Sequence, residues 1–220
     1  MTTSVSDPSS GGDRRTLQRG RILEAARGVF FRDGFMNANL DEVAQIAGVA
    51  KGTLYRYFEN KGDLYVALLA DGGAVFQERL GEAARTPGSA ADQIRELGRF
   101  YVDHWTRNRE NFWIFWALDN QEVIGDLPDA LVQEITRLWQ NCLQILAAAI
   151  DRGVESGEFA PCDSWEVANI LWTMANGVIQ TELAAPRRRL RDRPLDQVFR
   201  DMVEIFLRGM RSAPAGESGS

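Results

Sequence analysis

Residues 40–58, with the sequence LDEVAQIAGVAKGTLYRYF, carry the clearest potential for chemistry in this chain. Apolar residues at helical spacing give a first helix an inner face, and Gly48 permits a tight turn before a second helix. Val49 and Leu54 are expected to fill the angle between the helices, which leaves the opposite face of the second helix free. The pattern predicts a helix-turn-helix whose recognition helix spans about 51–58.

The free face of this second helix carries hydrogen-bond donors and apolar groups that suit base edges in a major groove. Gly52 would let the backbone approach a duplex, although a Gly inside a helix costs about 1 kcal/mol relative to Ala. The candidate base contacts are Lys51, Gly52, Thr53, Tyr55 and Arg56, with Tyr57 and Lys61 placed to reach phosphate. Packing is the alternative role for the two tyrosines, and a solvated helix end is the alternative for Lys61.

The chain as a whole reads as helical, because apolar residues recur at three and four positions while Pro and Gly fall between segments. Gly34 is expected to cap the first helix, and Asn39 with Glu42 and Ser89 with Asp92 resemble capping boxes. We predict an all-α fold of about nine helices, near 14–33, 40–47, 51–58, 61–84, 90–107, 109–123, 128–156, 163–184 and 194–212. Aromatic residues become denser after the Pro87-Gly88 loop.

Charge is distributed unevenly along the 220 residues, which together carry a net charge of −6. Residues 1–64 hold nine Lys and Arg against eight Asp and Glu, whereas residues 65–220 hold 16 against 23. The only two lysines, Lys51 and Lys61, lie in the first part. Since a small DNA-binding domain needs only a few well-placed cations, the overall negative charge does not exclude DNA as a partner.

The sequence also suggests where the protein works. Cys142 and Cys162 lack the spacing of zinc or redox sites, which suggests a reducing compartment. The N-terminus has no apolar signal region, and the longest apolar runs are too short to span a bilayer. We therefore expect a cytoplasmic protein without membrane association, metal or cofactor.

Gly34-Phe35 and the run DEVAQIAGVAKGTLYRYFENKGDL from Asp41 to Leu64 resemble the DNA-binding domain of the TetR (AcrR-like) family of transcriptional regulators. The resemblance implies that the third helix enters the major groove and that Lys61, opening the fourth helix, holds a phosphate. We also expect Asn39 to contact a phosphate. The sequence departs from the family at Ala50, where a capping serine is usual, and at Ala38-Asn39, where a threonine pair is common.

The resemblance also implies a domain organisation. Residues 14–62 would be the helix-turn-helix domain and 63–212 a larger ligand-binding and dimerisation domain. The composition of the chain ends, rich in Ser and Gly, predicts flexible tails at 1–13 and 213–220. Seven of the 21 aromatic residues lie between Phe100 and Trp116. Core packing would account for them, whereas the resemblance implies a pocket for an apolar or aromatic inducer. The pocket residues would be Tyr101, His104, Trp105, Phe112, Trp113, Trp116, Trp139, Asn141, Trp172 and Asn176.

The last two predicted helices carry apolar stripes that could be ordinary core. The resemblance implies instead that they pair with a second subunit, so that two recognition helices read a palindromic operator. The expected interface residues are Ile170, Met174, Gly177, Val178, Val198, Met202, Ile205 and Phe206. The basic run 187–193 is expected to be a solvated loop.

These features predict a homodimeric, ligand-responsive repressor that binds a double-stranded DNA operator and is released by an unidentified small molecule. Two alternatives remain at this point. One is a ligand-independent or activating DNA-binding regulator, which would share the motif but not the release step. The other is an all-helical enzyme using the aromatic cavity, although a single histidine and no nucleophile–base pair argue for a protein that is not an enzyme.

Overall fold

A computed structural model of the protein describes residues 9–116 and 129–211, apart from the side chains of 9–13, Trp116, Leu131 and Leu183. The described residues form ten helices and no strand beyond one isolated bridge between Phe159 and Arg211. The all-α class is confirmed. The helices are α1 Ser9–Asn37, α2 Leu40–Ile46, α3 Lys51–Tyr57, α4 Lys61–Ala83, α5 Ala90–Arg107, α6 Arg109–Trp116, α7 Asp129–Glu155, α8 Ser164–Leu183, α9 Ala185–Arg188 and α10 Leu195–Met210.

Two differences from the predicted helices concern residues that were expected to lie outside any helix. Residues 9–13, expected in a flexible tail, form the first turns of α1. The short helix α9 includes Arg187 and Arg188, the first two residues of the basic run expected to be a loop, and Pro186 in its first turn suits a helix start. The predicted end of the sixth helix, 117–123, and the predicted tail 213–220 lie outside the described residues.

The chain groups into two compact units. Of the described residues, the first unit contains 9–72, 110–116 and 129–135, and the second contains 73–109 and 136–211. The division falls inside α4, whereas the sequence placed a boundary at the start of that helix. Within the described ranges, no helix has the length and apolar character needed to cross a bilayer.

The first unit is built around the helix-turn-helix. Leu54 of α3 is fully buried against apolar residues of α1 and α2, among them Ile22 and Val43, while Val49 is partly buried at the turn. Gly48 has a φ of 65°, and the Val49 N–H donates to the Ala44 carbonyl at 2.9 Å. The left-handed φ favours Gly at this turn, as the sequence predicts.

A second turn, at Gly34, separates the main part of α1 from its last residues. Gly34 has φ 71° and ψ 172°, a combination that is essentially restricted to glycine. The turn brings the Phe35 ring to 6.1 Å from Phe30 and 5.1 Å from Tyr65, measured between ring centroids. Gly34 therefore interrupts the helix as predicted, although a further helical turn follows before α2.

The two predicted capping boxes have different outcomes. Ser89 and Asp92 form the complete box at the start of α5. At the start of α2, Asn39 Oδ1 accepts from the Asp41 N–H at 2.8 Å, but Glu42 instead accepts from Arg32, also at 2.8 Å. Only the Asn39 half of the predicted capping box forms at α2, because the Glu42 carboxylate binds Arg32 instead.

The second unit is built mainly from α5, α8 and α10. Gly98 of α5 lies against α10, since a Cβ there would stand 3.1 Å from Val203 Cγ2. Arg95 of α5 donates to Glu204 of α10 with an Nε–Oε1 distance of 2.6 Å. Glu158 accepts from the backbone N–H groups of Ala90 and Ala91 at 2.8 and 3.2 Å and so completes the start of α5.

The Gly34 turn yields a stability prediction. Gly34→Ala is expected to lower the free energy of unfolding by about 1–3 kcal/mol, because alanine is strained at this φ and ψ. Gly28→Ala is the control, because Gly28 is helical in α1 and a Cβ there meets open space. That variant should gain about 0.5–1 kcal/mol. Urea unfolding of both variants makes the measurement, and equal stabilities would contradict the prediction.

Candidate nucleic-acid interface

The recognition helix α3 presents most of its predicted base contacts to solvent. Leu54 is fully buried, whereas Tyr55 is 42% exposed. Lys51, Gly52 and Arg56 are also exposed, and Thr53 is half-buried. Ala50 caps the helix only through its backbone, since no side-chain cap hydrogen bond is present. The exposed face has the donors and the apolar surface that base edges require.

Lys51 is not free on this face. Its Nζ lies 2.6 Å from Asp41 Oδ1 in the first turn of α2, and both side chains are exposed. The hydrogen bond that Lys51 donates to Asp41, with a smaller contribution from the Asp41 charge, raises the pKa of Lys51. Lys51 is therefore protonated, and its ammonium must leave Asp41 or share it before contacting a base.

An open depression collects residues from the starts of α2, α3 and α4. It brings together four of the predicted DNA contacts, Asn39, Lys51, Tyr55 and Lys61. The remaining lining residues are Asn37, Ala38, Leu40, Asp41, Glu59 and Asn60. Two ammonium groups and an amide around one concave surface can receive phosphate oxygens.

Lys61 has an internal role that sequence reasoning missed. Its Nζ donates to the carbonyls of Phe35 and Met36 at 3.0 and 2.8 Å and lies 5.5 Å from the centroid of the Phe35 ring. Carbonyls at a helix end lack backbone partners, and a lysine can satisfy them. Because an ammonium has three N–H donors, one remains for a phosphate.

Tyr57 lies beside α1, and it is not among the residues that line the depression. Its hydroxyl is 3.2 Å from Gln18 Oε1 and 3.4 Å from the Arg15 carbonyl oxygen. The guanidinium carbon of Arg15 lies 6.0 Å from the centroid of its ring. The predicted phosphate contacts therefore fall into two groups, one in the depression and one beside α1.

Several predicted pocket residues meet in the core of the second unit. The Tyr101 hydroxyl donates to Asn176 Oδ1 at 2.6 Å and accepts from Trp172 Nε1 at 3.0 Å. Asn176 is 1% exposed, and burial raises the pKa of Tyr101. The Trp139 and Trp172 ring centroids are 5.6 Å apart. This polar group satisfies itself inside an apolar core, as buried polar groups generally must.

His104 is half-buried among aromatic rings. Its ring centroid lies 4.7 Å from that of Phe76, 4.8 Å from Trp105 and 5.7 Å from Phe100. Burial, and secondarily the charge of Arg79, lowers the pKa of His104, so its ring is neutral at pH 7. Phe76 was missed by sequence reasoning, because its contact with His104 joins residues 28 positions apart along the chain.

The remaining predicted pocket residues are placed differently. Trp105 is buried and Asn141 half-buried in the second unit. Phe112, which is fully buried, and Trp113, which is 45% exposed, belong to the first unit. The side chain of Trp116 lies outside the described residues. Across the described ranges, no group of three metal-binding side chains occurs.

The predicted dimer residues divide into an exposed set and a buried one. Ile170 and Ile205 are 54% and 65% exposed, and Met174 is 37% exposed. Gly177, Val178, Val198 and Phe206 are half-buried. Met202 is only 7% exposed, so it belongs to the core of its own chain and not to the exposed apolar strip. A Cβ on Gly177 would meet open space.

The helix-turn-helix and its exposed α3 face define a DNA-binding protein class. Residues 22–68 match the family described as bacterial regulatory proteins, tetR family, and residues 87–180 match the tetracyclin repressor-like C-terminal domain. The chain belongs to the TetR family of transcriptional regulators.

Two curated relatives are similar in sequence to this chain. The fatty acid metabolism regulator protein of Bacillus subtilis (strain 168) is 27% identical over 143 residues, which cover 63% of this chain and 69% of that protein. The transcriptional regulator RutR of Escherichia coli (strain K12) is 27% identical over 195 residues, which cover 86% of this chain and 89% of RutR.

A solved structure has a similar fold. The transcriptional regulator FadR from Bacillus subtilis, in complex with stearoyl-CoA, aligns with a TM-score of 0.72 and 21% identity. The alignment covers 87% of this chain and 98% of that one. This similarity supports the fold over both units.

The buried polar group around Tyr101 gives a second prediction. Tyr101→Phe is expected to lower the free energy of unfolding by about 1–3 kcal/mol, because Asn176 Oδ1 and Trp172 Nε1 lose their shared partner. Tyr55→Phe is the control, since it removes the same atom from an exposed ring and should change stability by less than about 0.5 kcal/mol. Chemical denaturation compares them. A Tyr101→Phe variant as stable as the wild type would show that the hydroxyl is dispensable.

Proposed function

We propose that this chain is a homodimeric repressor that binds a palindromic operator and is released by a small apolar ligand. The main support for this proposal is the exposed face of α3, where the side chains of Lys51, Tyr55 and Arg56 are exposed to solvent. These side chains supply donors to bases, and Lys61 with Asn39 supplies donors to phosphate at the edge of the same depression.

Dimerisation is supported by the apolar strip on α8 and α10. Ile170, Met174 and Ile205 are large apolar residues exposed on adjacent helices of one unit. A strip of this kind is stabilised when it is buried against a second copy, and a two-fold axis then presents two recognition helices. Half-sites about 34 Å apart would allow both helices to enter the major groove together.

Ligand release is supported by family membership and by the core of the second unit. Helices α5, α7 and α8 contribute indole, phenol and amide groups to a mainly apolar interior. Pockets for small molecules combine apolar walls with a few fixed polar groups. A ligand with a long apolar portion is the class we favour, and stearoyl-CoA, bound by the similar Bacillus subtilis regulator, is a suitable probe.

A route for the ligand signal exists within the first unit. The Tyr65 hydroxyl of α4 donates to the Ile114 carbonyl of α6, and Tyr65 is 1% exposed. The Tyr65 ring packs on Phe35, whose own carbonyl accepts from Lys61. Helix α6 begins two residues after α5 ends. A shift of α6 would therefore change the position of Lys61, a predicted phosphate contact.

DNA binding is tested with Gly52→Ala. A Cβ at Gly52 meets open space, so the variant should gain about 0.5–1 kcal/mol of folding stability. Its affinity for operator DNA should nevertheless fall about tenfold or more, because the added methyl occupies the surface that faces the bases. Fluorescence anisotropy with duplexes flanking the chain's own gene measures the affinity and the stoichiometry, expected to be two chains per duplex.

Gly28→Ala controls this comparison, since it adds a methyl to an exposed helical position of α1 with equally open surroundings. It should gain similar stability and keep wild-type affinity. The proposal fails if the wild type shows no salt-sensitive, sequence-selective binding. Unchanged affinity of Gly52→Ala would remove α3 from the interface.

Release is tested with stearoyl-CoA and Tyr65→Phe. In the wild type, stearoyl-CoA should raise the thermal midpoint and weaken operator binding. Tyr65→Phe should still bind both, with a stability loss of about 1 kcal/mol, but the ligand should weaken its operator binding less. Ile22→Val, a fully buried change in the same unit with a similar expected cost of about 1 kcal/mol, should respond like the wild type. Binding of stearoyl-CoA without any loss of operator affinity would contradict the release mechanism.

A further inference from the structure

The first turns of α1 carry cations that are not among the predicted DNA contacts. From Arg14 to Leu23 the sequence contains four arginines and no acidic residue. Arg19 lies 3.8 Å from Asp71 in a loose ion pair. Arg14 and Arg15 are exposed, and among the described side chains no carboxylate pairs with either.

These two arginines lie beside the end of α3. Tyr57, in the last turn of the recognition helix, directs its hydroxyl to Gln18 and to the Arg15 carbonyl, 3.2 and 3.4 Å away. The Arg15 guanidinium lies 6.0 Å from the Tyr57 ring centroid. Arg14 precedes Gln18 by four residues, so the two share one side of the helix. The cations therefore continue the predicted DNA surface beyond Tyr57.

We propose that Arg14 and Arg15, here named the α1 patch, bind backbone phosphates of the duplex that flanks the bases contacted by α3. The inference rests on the proposed DNA-binding function and adds a contact surface to it. DNA is the occupant favoured by position, because the patch is continuous with α3 and a guanidinium binds phosphate through charge-assisted hydrogen bonds. An acidic surface of a second copy is the other occupant of matching charge, since residues 65–220 are net acidic.

The chemistry assigns the α1 patch a defined share of binding. Phosphate contacts are independent of sequence and release counterions, so they add to affinity for any duplex and to its salt dependence. The patch would therefore leave the ratio between operator and unrelated DNA unchanged. That behaviour distinguishes it from Tyr55 and Arg56, whose loss would lower the ratio.

The test compares the full chain with its double variant Arg14→Ala/Arg15→Ala in anisotropy titrations between about 50 and 200 mM salt, a range in which phosphate contacts dominate the change. A dimer loses up to four phosphate contacts, so the plot of log affinity against log salt should become shallower by up to about 3.6. Affinity at low salt should fall about tenfold or more, equally for operator and scrambled duplexes. Arg14→Lys/Arg15→Lys should retain most of the wild-type slope, because lysine preserves the charge.

The matched control is Arg187→Ala/Arg189→Ala. Both residues are exposed and the change removes the same charge from the second unit. It should leave the slope unchanged, and all variants should keep the wild-type unfolding midpoint. The inference is overturned if Arg14→Ala/Arg15→Ala keeps the wild-type slope, or if the control loses as much affinity.

Two further outcomes distinguish the α1 patch from the proposed DNA-binding function and from a contact between copies of the chain. If the wild type binds no DNA, the proposed DNA-binding function is wrong. If the wild type binds DNA and the double variant binds it equally well, only the role of the α1 patch is wrong. If Arg14→Ala/Arg15→Ala changes self-association in sedimentation experiments and leaves DNA binding intact, a second copy is the occupant and the proposal is wrong.

Discussion

The reversal of the chain at Gly34 determines where several of the predicted DNA contacts of the first unit lie. Its φ of 71° and ψ of 172° turn the chain so that Phe35 packs against Phe30 and Tyr65. The freed carbonyls of Phe35 and Met36 are then held by the ammonium of Lys61. The start of α2 and the start of α4 are thereby placed around one depression. Without this turn, the chain would not bring Asn39 and Lys61 to the same surface.

Three of the predicted DNA contacts already have partners within the protein. Lys51 pairs with Asp41, Lys61 with two carbonyls, and Tyr57 with Gln18 and Arg15. An exposed ion pair contributes little to stability, typically about 0.2–1 kcal/mol, so exchanging Asp41 for a phosphate at Lys51 costs little. The internal partners hold the side chains in place without preventing DNA contact.

Much of this arrangement could be predicted from local sequence. Helical periodicity gave the ends of α5 correctly, and Gly48, Leu54 and the Ser89–Asp92 cap took their expected positions. Partners separated along the chain could not be predicted in this way. Glu42 pairs with Arg32 instead of capping α2, and Phe76 joins His104, because those choices depend on which helices meet. The same limit applies to Tyr101 and Asn176, whose residue types suggested a pocket wall but whose contact depends on α5 meeting α8.

The seven-residue helix α3 has no side-chain cap at Ala50 and carries a glycine as its second residue. Both features favour fraying of its first turn, where backbone N–H groups exchange with water. The segment predicted to contact bases is therefore expected to be less protected than the buried helices of the first unit, and its amide protons should exchange early. When a duplex orders this turn, part of the binding enthalpy is offset by lost backbone entropy. Under the proposed contact between α3 and bases, operator recognition would include a local folding step, and a DNA sequence that fails to order the turn would bind more weakly.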